Sequence, residues 1–216
     1  MLLTLALLLA AQTTSGGGYA RPELLVETAW LATHTTDPDL RIVDLRPRGY
    51  DEGHIPEAVW LDNNWIRNPA APPDFLPTPS EFEALMTTLG VGPSTRVVAY
   101  DERGGIYAAR LWWVLTYYGH ADVALLNGGW TAWTLERRAT STETPTPTAP
   151  APFRVKPSLT GHATAADVLA AINKPGVKIV DARTQAEIDG TDLRRIKRGG
   201  FIESSVPVYW EDTLEP

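Results

Sequence analysis

The 216-residue chain contains no cysteine. Within these residues that excludes disulfides, thiolate metal ligands and any thiol nucleophile. Positive charge is also scarce: 19 Lys and Arg stand against 26 Asp and Glu, for a net charge of −7. That removes the electrostatic basis for binding nucleic acid or an anionic membrane surface. No apolar run approaches the roughly 20 residues of a membrane-spanning helix. The longest, Leu2 to Ala11, is broken only by Thr4. The four histidines are scattered, and the one ligand-like pair, Asp51-x-x-His54, has no third ligand nearby in sequence, so no metal is expected. Gly104-Gly105 lacks the Gly-Lys-Ser/Thr ending of a phosphate loop, and neither a Gly-x-Ser-x-Gly elbow nor a His-Glu-x-x-His helix occurs. No cofactor is expected.

What is present is organised around Arg96 to Trp113. Val97, Val98 and Tyr100 favour a strand. Gly104 and Gly105 permit a tight turn. From Ile106 the apolar spacing (Tyr107, Ala108, Leu111, Trp112, Leu115) becomes helical. A strand that enters a helix through a short loop aims several backbone N–H groups at one point, and the helix dipole adds positive potential there. Such a cradle holds an anion, and Asp101 stands at its mouth.

The Leu2–Ala11 run followed by small residues reads as a secretory signal with no basic n-region. Residues 1–20 are therefore expected to be a signal peptide and flexible leader, and the protein to be exported, periplasmic or secreted. Leu40–Leu45 then reads as a strand, Ile55–Leu61 as an edge strand or extended loop because of Pro56, and Asn63–Pro79 as a long loop. Ser80-Glu81-Phe82-Glu83 reads as a capping box opening a helix to about Leu89. Val123–Leu126 reads as a strand and Trp130–Glu136 as a final helix. Strands alternating with helices imply an α/β fold, a parallel sheet with helices on both faces. Thr140–Pro152, rich in Thr and Pro, cannot form a core and reads as an interdomain linker.

Beyond the linker the pattern restarts. Arg41-Ile-Val-Asp-Leu-Arg46 is matched by Lys178-Ile-Val-Asp-Ala-Arg183, with Asp181 standing 137 positions after Asp44. This is an internal duplication. At that offset the counterpart of Asp101 falls near 238, past Pro216. The expected domains are residues 21–139, a linker over 140–157, and the first half of a second domain over 158–216, truncated from a longer protein.

Five segments in order resemble a rhodanese domain. They are Ile42-Val-Asp-Leu-Arg46, Tyr50-Asp-Glu-Gly-His-Ile-Pro-Glu-Ala58, Val97-Val-Ala-Tyr-Asp101, Ala108-Ala-Arg-Leu-Trp-Trp113 and Leu126-Asn-Gly-Gly-Trp-Thr-Ala-Trp133. Their spacing is similar to the tandem-domain sulfurtransferases that use thiosulfate or 3-mercaptopyruvate. The resemblance implies a Cys in the cradle whose lowered pKa lets a thiolate take sulfane sulfur and pass the persulfide to cyanide or a thiol. In tandem members the first domain typically carries Asp there, as Asp101 does, and the second is catalytic. The Cys is thus expected about 22 residues past Pro216.

The resemblance further implies that Arg183 helps to hold the small anionic donor. Asp44, Arg46, His54, Arg110 and Asp181 are implied as residues that organise the site. In the second domain Gly53-His54-Ile55-Pro56 is replaced by Gly200-Phe201-Ile202-Glu203. Two other readings stay open: a non-catalytic rhodanese-like binding or regulatory module, and a phosphatase of the same fold. Asp101 is read as a structural cap rather than an acid, and His54 as a loop-organising hydrogen bonder.

Overall fold

The computed structural model describes residues 19–66, 76–147, 149–156, 161–194 and 196–215. The expected signal peptide falls almost wholly outside these residues, as does most of the loop before the first long helix. The chain divides into two compact units, the first extending to Ser158 and the second starting at Leu159.

The first unit is a five-stranded, all-parallel sheet. Its strands are β1 (Leu25–Val26), β2 (Leu40–Asp44), β3 (Ala58–Trp60), β4 (Arg96–Tyr100) and β5 (Val123–Leu126), in the order β1-β5-β4-β2-β3. The strands alternate faces with a period of two. Val43, Val59, Val97, Ala99 and Val123 pack under α2 (Pro79–Thr88) and α3 (Ile106–Tyr117). Ile42, Ala58, Val98, Tyr100, Ala124 and Leu126 pack on the other face with Leu31 of α1 (Thr28–Ala32) and Trp133 of α4 (Gly129–Leu135). Burial on both faces explains why the strand sequences are almost continuously apolar. β3 is an edge strand, as Pro56 suggests.

Two local expectations are corrected. The cap of α2 is Thr78, not Ser80: its hydroxyl accepts the Glu81 N–H, and the Glu81 carboxylate accepts the Thr78 N–H at 2.8 Å. Pro79 then occupies the first helical turn, where its missing N–H costs nothing. The second correction is larger. The stretch read as a linker lies along the first unit as a strap. Ser141 bridges antiparallel to His54, and the Phe153 ring is 2% exposed, edge-on to Phe82. The strap's backbone is held from the side, Phe153 N–H by Thr87 Oγ1 (3.0 Å), Val155 N–H by Glu83 (3.0 Å) and Lys156 N–H by the Tyr118 carbonyl (2.9 Å). It docks where the body carries glycine. A Cβ at Gly119 would stand 2.4 Å from the Lys156 carbonyl, and one at Gly90 2.6 Å from Pro147. Composition missed this because the strap supplies few side chains of its own and is seated by features 37 to 89 residues away.

The second unit has α5 (Ala165–Ala171), β6 (Ile179–Asp181), α6 (Gln185–Ile188) and β7 (Ser205–Pro207). Thr164 with Asp167 and Thr184 with Glu187 form reciprocal caps. β6 and β7 pair in parallel, Ile179 opposite Ser205, which copies Ile42 opposite Ala58 in the first unit.

Phe153→Ala should cost about 3–5 kcal/mol in urea unfolding and, by freeing the backbone of the strap, make the Arg154–Val155 bond cleavable by trypsin in the native state. A native-like digestion pattern would mean the strap is not held by that ring. Burial lowers the pKa of His120, against smaller upward pulls from Thr95 and Asp122, so folding disfavours the imidazolium. Stability is therefore expected to fall as pH drops below the ordinary imidazole value of about 6.5. His120→Phe should flatten that part of a melting-temperature profile, provided the variant's far-UV spectrum is unchanged.

Candidate functional site

In an open parallel sheet the carboxyl ends of the strands carry the functional groups. Here Asp44 ends β2, and Asp101 follows β4 directly. The Asp101 side chain is 2% exposed. Its Oδ1 accepts the N–H groups of Arg103 (2.7 Å) and Gly105 (2.9 Å), and its Oδ2 those of Tyr107 (2.7 Å) and Ala108 (3.0 Å). The loop can turn so tightly because Gly104 and Gly105 adopt φ of 67° and 84°. Gly105 leads directly into α3 as a left-handed cap with no side chain to satisfy the helix's first donors. The carboxylate does that work. The Asp101 carbonyl in turn accepts the Trp130 N–H at 2.8 Å, and a Cβ on Gly129 would stand 2.3 Å from it. The start of α4 thus seats against the rim of the cradle only because glycine is there.

Beside the cradle lies a buried ion pair. Arg46 Nε reaches both Asp44 oxygens (3.1 and 3.0 Å), Nη2 reaches Oδ2 (2.6 Å), and the same Nη2 donates to the Gly53 carbonyl (2.7 Å). The Trp130 ring covers the guanidinium at 3.9 Å. Tyr100 donates its hydroxyl to Asp44 (2.7 Å) and accepts the Ile55 N–H (3.2 Å). Burial, and secondly the Asp44 charge, push the Tyr100 pKa far above the ordinary phenol value, which keeps that hydroxyl a donor. Burial opposes the charge on Arg46, but the Asp44 hydrogen bonds and charge outweigh it, and its pKa is raised.

His54 is fully buried, stacked on Tyr50 at 3.9 Å. Its ring nitrogens lie 2.9 Å from the Tyr50 carbonyl and 3.1 Å from the Glu143 carbonyl. Its imidazole faces the strap rather than the cradle. Arg110, on α3, stacks on Trp113 at 4.6 Å.

The structure therefore gathers Asp44, Arg46 and His54 around the Gly53 loop, with the Asp101 cradle at the end of the neighbouring strand. Asp181 and Arg183 form a separate cluster in the second unit. Arg183 Nε and Nη2 hold Asp181 (2.8 and 2.6 Å), and Nη2 donates to the Gly200 carbonyl (2.9 Å). Arg183 hydrogen bonds hold the Asp181 carboxyl below its usual range. Phe201 stands where the first unit has His54. Sequence reasoning missed Tyr100, Trp130 and Gly129. An aromatic closing a strand signals packing, and only the fold places its hydroxyl on Asp44. Among the described residues no group of three or more His, Cys, Asp or Glu is placed to hold a metal. No described helix is long and apolar enough to cross a membrane.

The rhodanese-like domain family matches residues 27–136. The chain is 34% identical to a thiosulfate sulfurtransferase of Corynebacterium glutamicum, over 92% of the chain and 69% of that protein. It is 33% identical to the sulfur carrier protein TtuD of Thermus thermophilus, over 92% of the chain and 74% of that protein. The crystal structure of SseA from Escherichia coli, a 3-mercaptopyruvate sulfotransferase by its description, superposes with a TM-score of 0.78 at 28% identity. That alignment covers 89% of this chain and 77% of SseA.

Asp101→Ala leaves four N–H groups, most of them part-buried, without their acceptor. It should cost about 3 kcal/mol, and sulfate at tens of millimolar should restore part of the loss by occupying the cradle. Equal sulfate effects on the variant and the parent, measured by urea unfolding, would show that the cradle does not take an external anion.

Proposed function

The chain belongs to the rhodanese family of sulfurtransferases, and from that premise we propose that its first unit is the non-catalytic half of a tandem enzyme. The observation that carries this reading is the Asp101 carboxylate, which occupies the anion cradle through four backbone N–H bonds. A thiolate in such a cradle is stabilised by the same donors and dipole. It attacks the sulfane sulfur of thiosulfate, breaking the S–S bond and releasing sulfite, or the thiol sulfur of 3-mercaptopyruvate, breaking the C–S bond and releasing the pyruvate enolate, which takes a proton to become pyruvate. The resulting persulfide yields its outer sulfur to cyanide or a thiol, which regenerates the thiolate. A carboxylate accepts the same hydrogen bonds but carries no transferable sulfur.

The proposed persulfide cysteine lies on chain continuing past Pro216. Support comes from how far the duplication extends. Asp44 and Arg46 match Asp181 and Arg183 at an offset of 137. Gly53 and Gly200 stand 147 apart, as do Ala58 and Ser205, and the short helical turns that open at Asn63 and Trp210. The second unit's loop is thus ten residues longer, and the counterpart of Asp101 moves from about 238 to about 248. Arg183 is the proposed contact for the donor's anionic group. Its side chain is 34% exposed, where its twin Arg46 is 3% exposed. Export of the protein, on the strength of the Leu2–Ala11 run, belongs to the same proposal.

A second reading, a binding or regulatory module, draws on the same filled cradle. The two part in experiment. The 216-residue chain should form no thiocyanate from thiosulfate and cyanide. Asp101→Cys should acquire a thiosulfate-dependent mass increase of one sulfur, removable by cyanide. A cysteine that folds in place yet never takes sulfur would favour the binding module. Turnover by the parent chain would defeat both readings. DNA downstream of the Pro216 codon decides whether a second cradle is encoded.

A further inference from the structure

We propose that the carboxyl end of the strap, Pro150–Lys156, is released by acid with His120 as the trigger, while the amino end, Ser141–Glu143, stays clasped by His54. Each end rests on a buried histidine: His120 is 6% exposed and His54 0%. The two rings are placed to receive a proton in opposite ways.

At the carboxyl end His120 follows Gly119, the glycine over which the Lys156 carbonyl sits. The Phe153 ring lies 5.6 Å from the imidazole. Its Nε2 is enclosed and has no hydrogen-bond partner among the described residues. A proton added there creates a buried charge and a donor without an acceptor, which costs more than a bare lone pair. The charged group acting on the ring is Asp122, before β5, and Arg96 of β4 stands 3.8 Å from that carboxylate. The Thr95 backbone and Phe153 bring no charge. The strap's own charges here are cations, the exposed Lys156 and Arg154, which pairs with Glu83 of α2 at 2.8 Å. Burial outweighs the pulls of Thr95 and Asp122 and holds the docked ring below the ordinary imidazole range. Lifting Phe153 opens the ring to water and removes that penalty.

At the amino end the His54 nitrogens lie 2.9 Å from the Tyr50 carbonyl and 3.1 Å from the Glu143 carbonyl. Carbonyls only accept, so a neutral ring satisfies one of them and an imidazolium both. Arg46, already paired with Asp44, reaches the adjoining Gly53 carbonyl, and Asp51, Glu52 and Glu143 carry the nearby negative charge in the loop and the strap. His54 and Ser141 also exchange backbone bonds of 2.9 Å in both directions. An arriving proton thus tightens this clasp, whereas at His120 it finds no acceptor. Glu83, which holds the Val155 N–H, stays ionised well below neutrality, because that bond and Arg154 keep its carboxyl under the ordinary range. Mild acid therefore acts on the carboxyl end through His120. It adds the seven residues 150–156 to the tether of the second unit while the strap stays attached at Ser141.

Amide hydrogen exchange on the whole 216-residue chain tests this, each rate being divided by its intrinsic value at the same pH. Phe153, Val155 and Lys156 report the carboxyl end, His54 and Ser141 the amino end, and Val98 the core. Protection at the first three should be level above about pH 7 and fall below about 6.5, by up to about tenfold per pH unit for one linked proton. It should level off where the His120 ring itself titrates by NMR. His54, Ser141 and Val98 should keep their protection to about pH 5.5. His120→Phe should remove the slope; if that variant does not fold, the match between the His120 titration and the levelling-off in the parent chain decides. Flat protection at 153–156, or a slope that survives His120→Phe, would overturn the proposal. So would a parallel loss at Ser141, which means the whole strap lifts, or at Val98, which means the unit unfolds as one.

Discussion

A parallel strand that runs through a tight loop into a helix leaves backbone N–H groups pointing at one place, and they must be satisfied. The first unit is arranged around that constraint. Asp101 meets four of these donors at once, its carbonyl receives the first N–H of the Trp130 turn, and α3 and α4 take their directions from it. The same geometry makes the position chemically versatile. In the proposed reading a thiolate or the terminal sulfur of a persulfide takes the place that the carboxylate holds here. On that proposal, whether a unit transfers sulfur or merely holds its shape depends on one side chain in a fixed backbone setting.

The second recurring device is the Asp-x-Arg pair. Asp44–Arg46 is sealed by Trp130 and Tyr100, while Asp181–Arg183 makes the same bonds in a more open setting. A buried pair is weak evidence for stability, because desolvation offsets much of the attraction, although breaking one is severe. Its value here is positional. In both units the arginine reaches a glycine carbonyl, Gly53 or Gly200, and so fixes where the loop returns to the sheet. The ten additional residues in the second loop leave that anchor untouched. What the duplication preserves is the point of return and not the path.

How much of this was legible in the sequence follows the range of each interaction. The strand ending at Tyr100, the glycine turn and the Asp101 position are coded within a dozen residues, and the structure has them as read. The α2 cap was misplaced by two residues because Thr78 and Ser80 are both good caps. Pro79 was the available signal, since proline favours the first helical turn. The strap was unreadable for a different reason. Its Pro and Thr residues resemble a linker in isolation, and the matching surface consists of Gly90, Gly92 and Gly119, whose contribution is an absence of side chain. His54 was understood as a hydrogen bonder, but its partner Glu143 lies 89 residues away, where no local pattern points.

The twin strand pairs separate what is local from what is tertiary. β2 and β6 share the Ile-Val-Asp sequence and the register with their partners, with Asp and Arg closing the same clasp. Val43 is 1% exposed, whereas Val180 at the matching position is 57% exposed. Pairing, turn and clasp thus form wherever the residues that specify them are present, since each needs only its neighbours. Burial does not follow from them. In the first unit it is supplied by β4, β5 and the helices on either face, and among the described residues β6 has β7 alone as a neighbour. The sheet register is thus specified by nearby residues and burial by distant ones, and in the first unit the core encloses the paired ladder that ends in the Asp101 cradle.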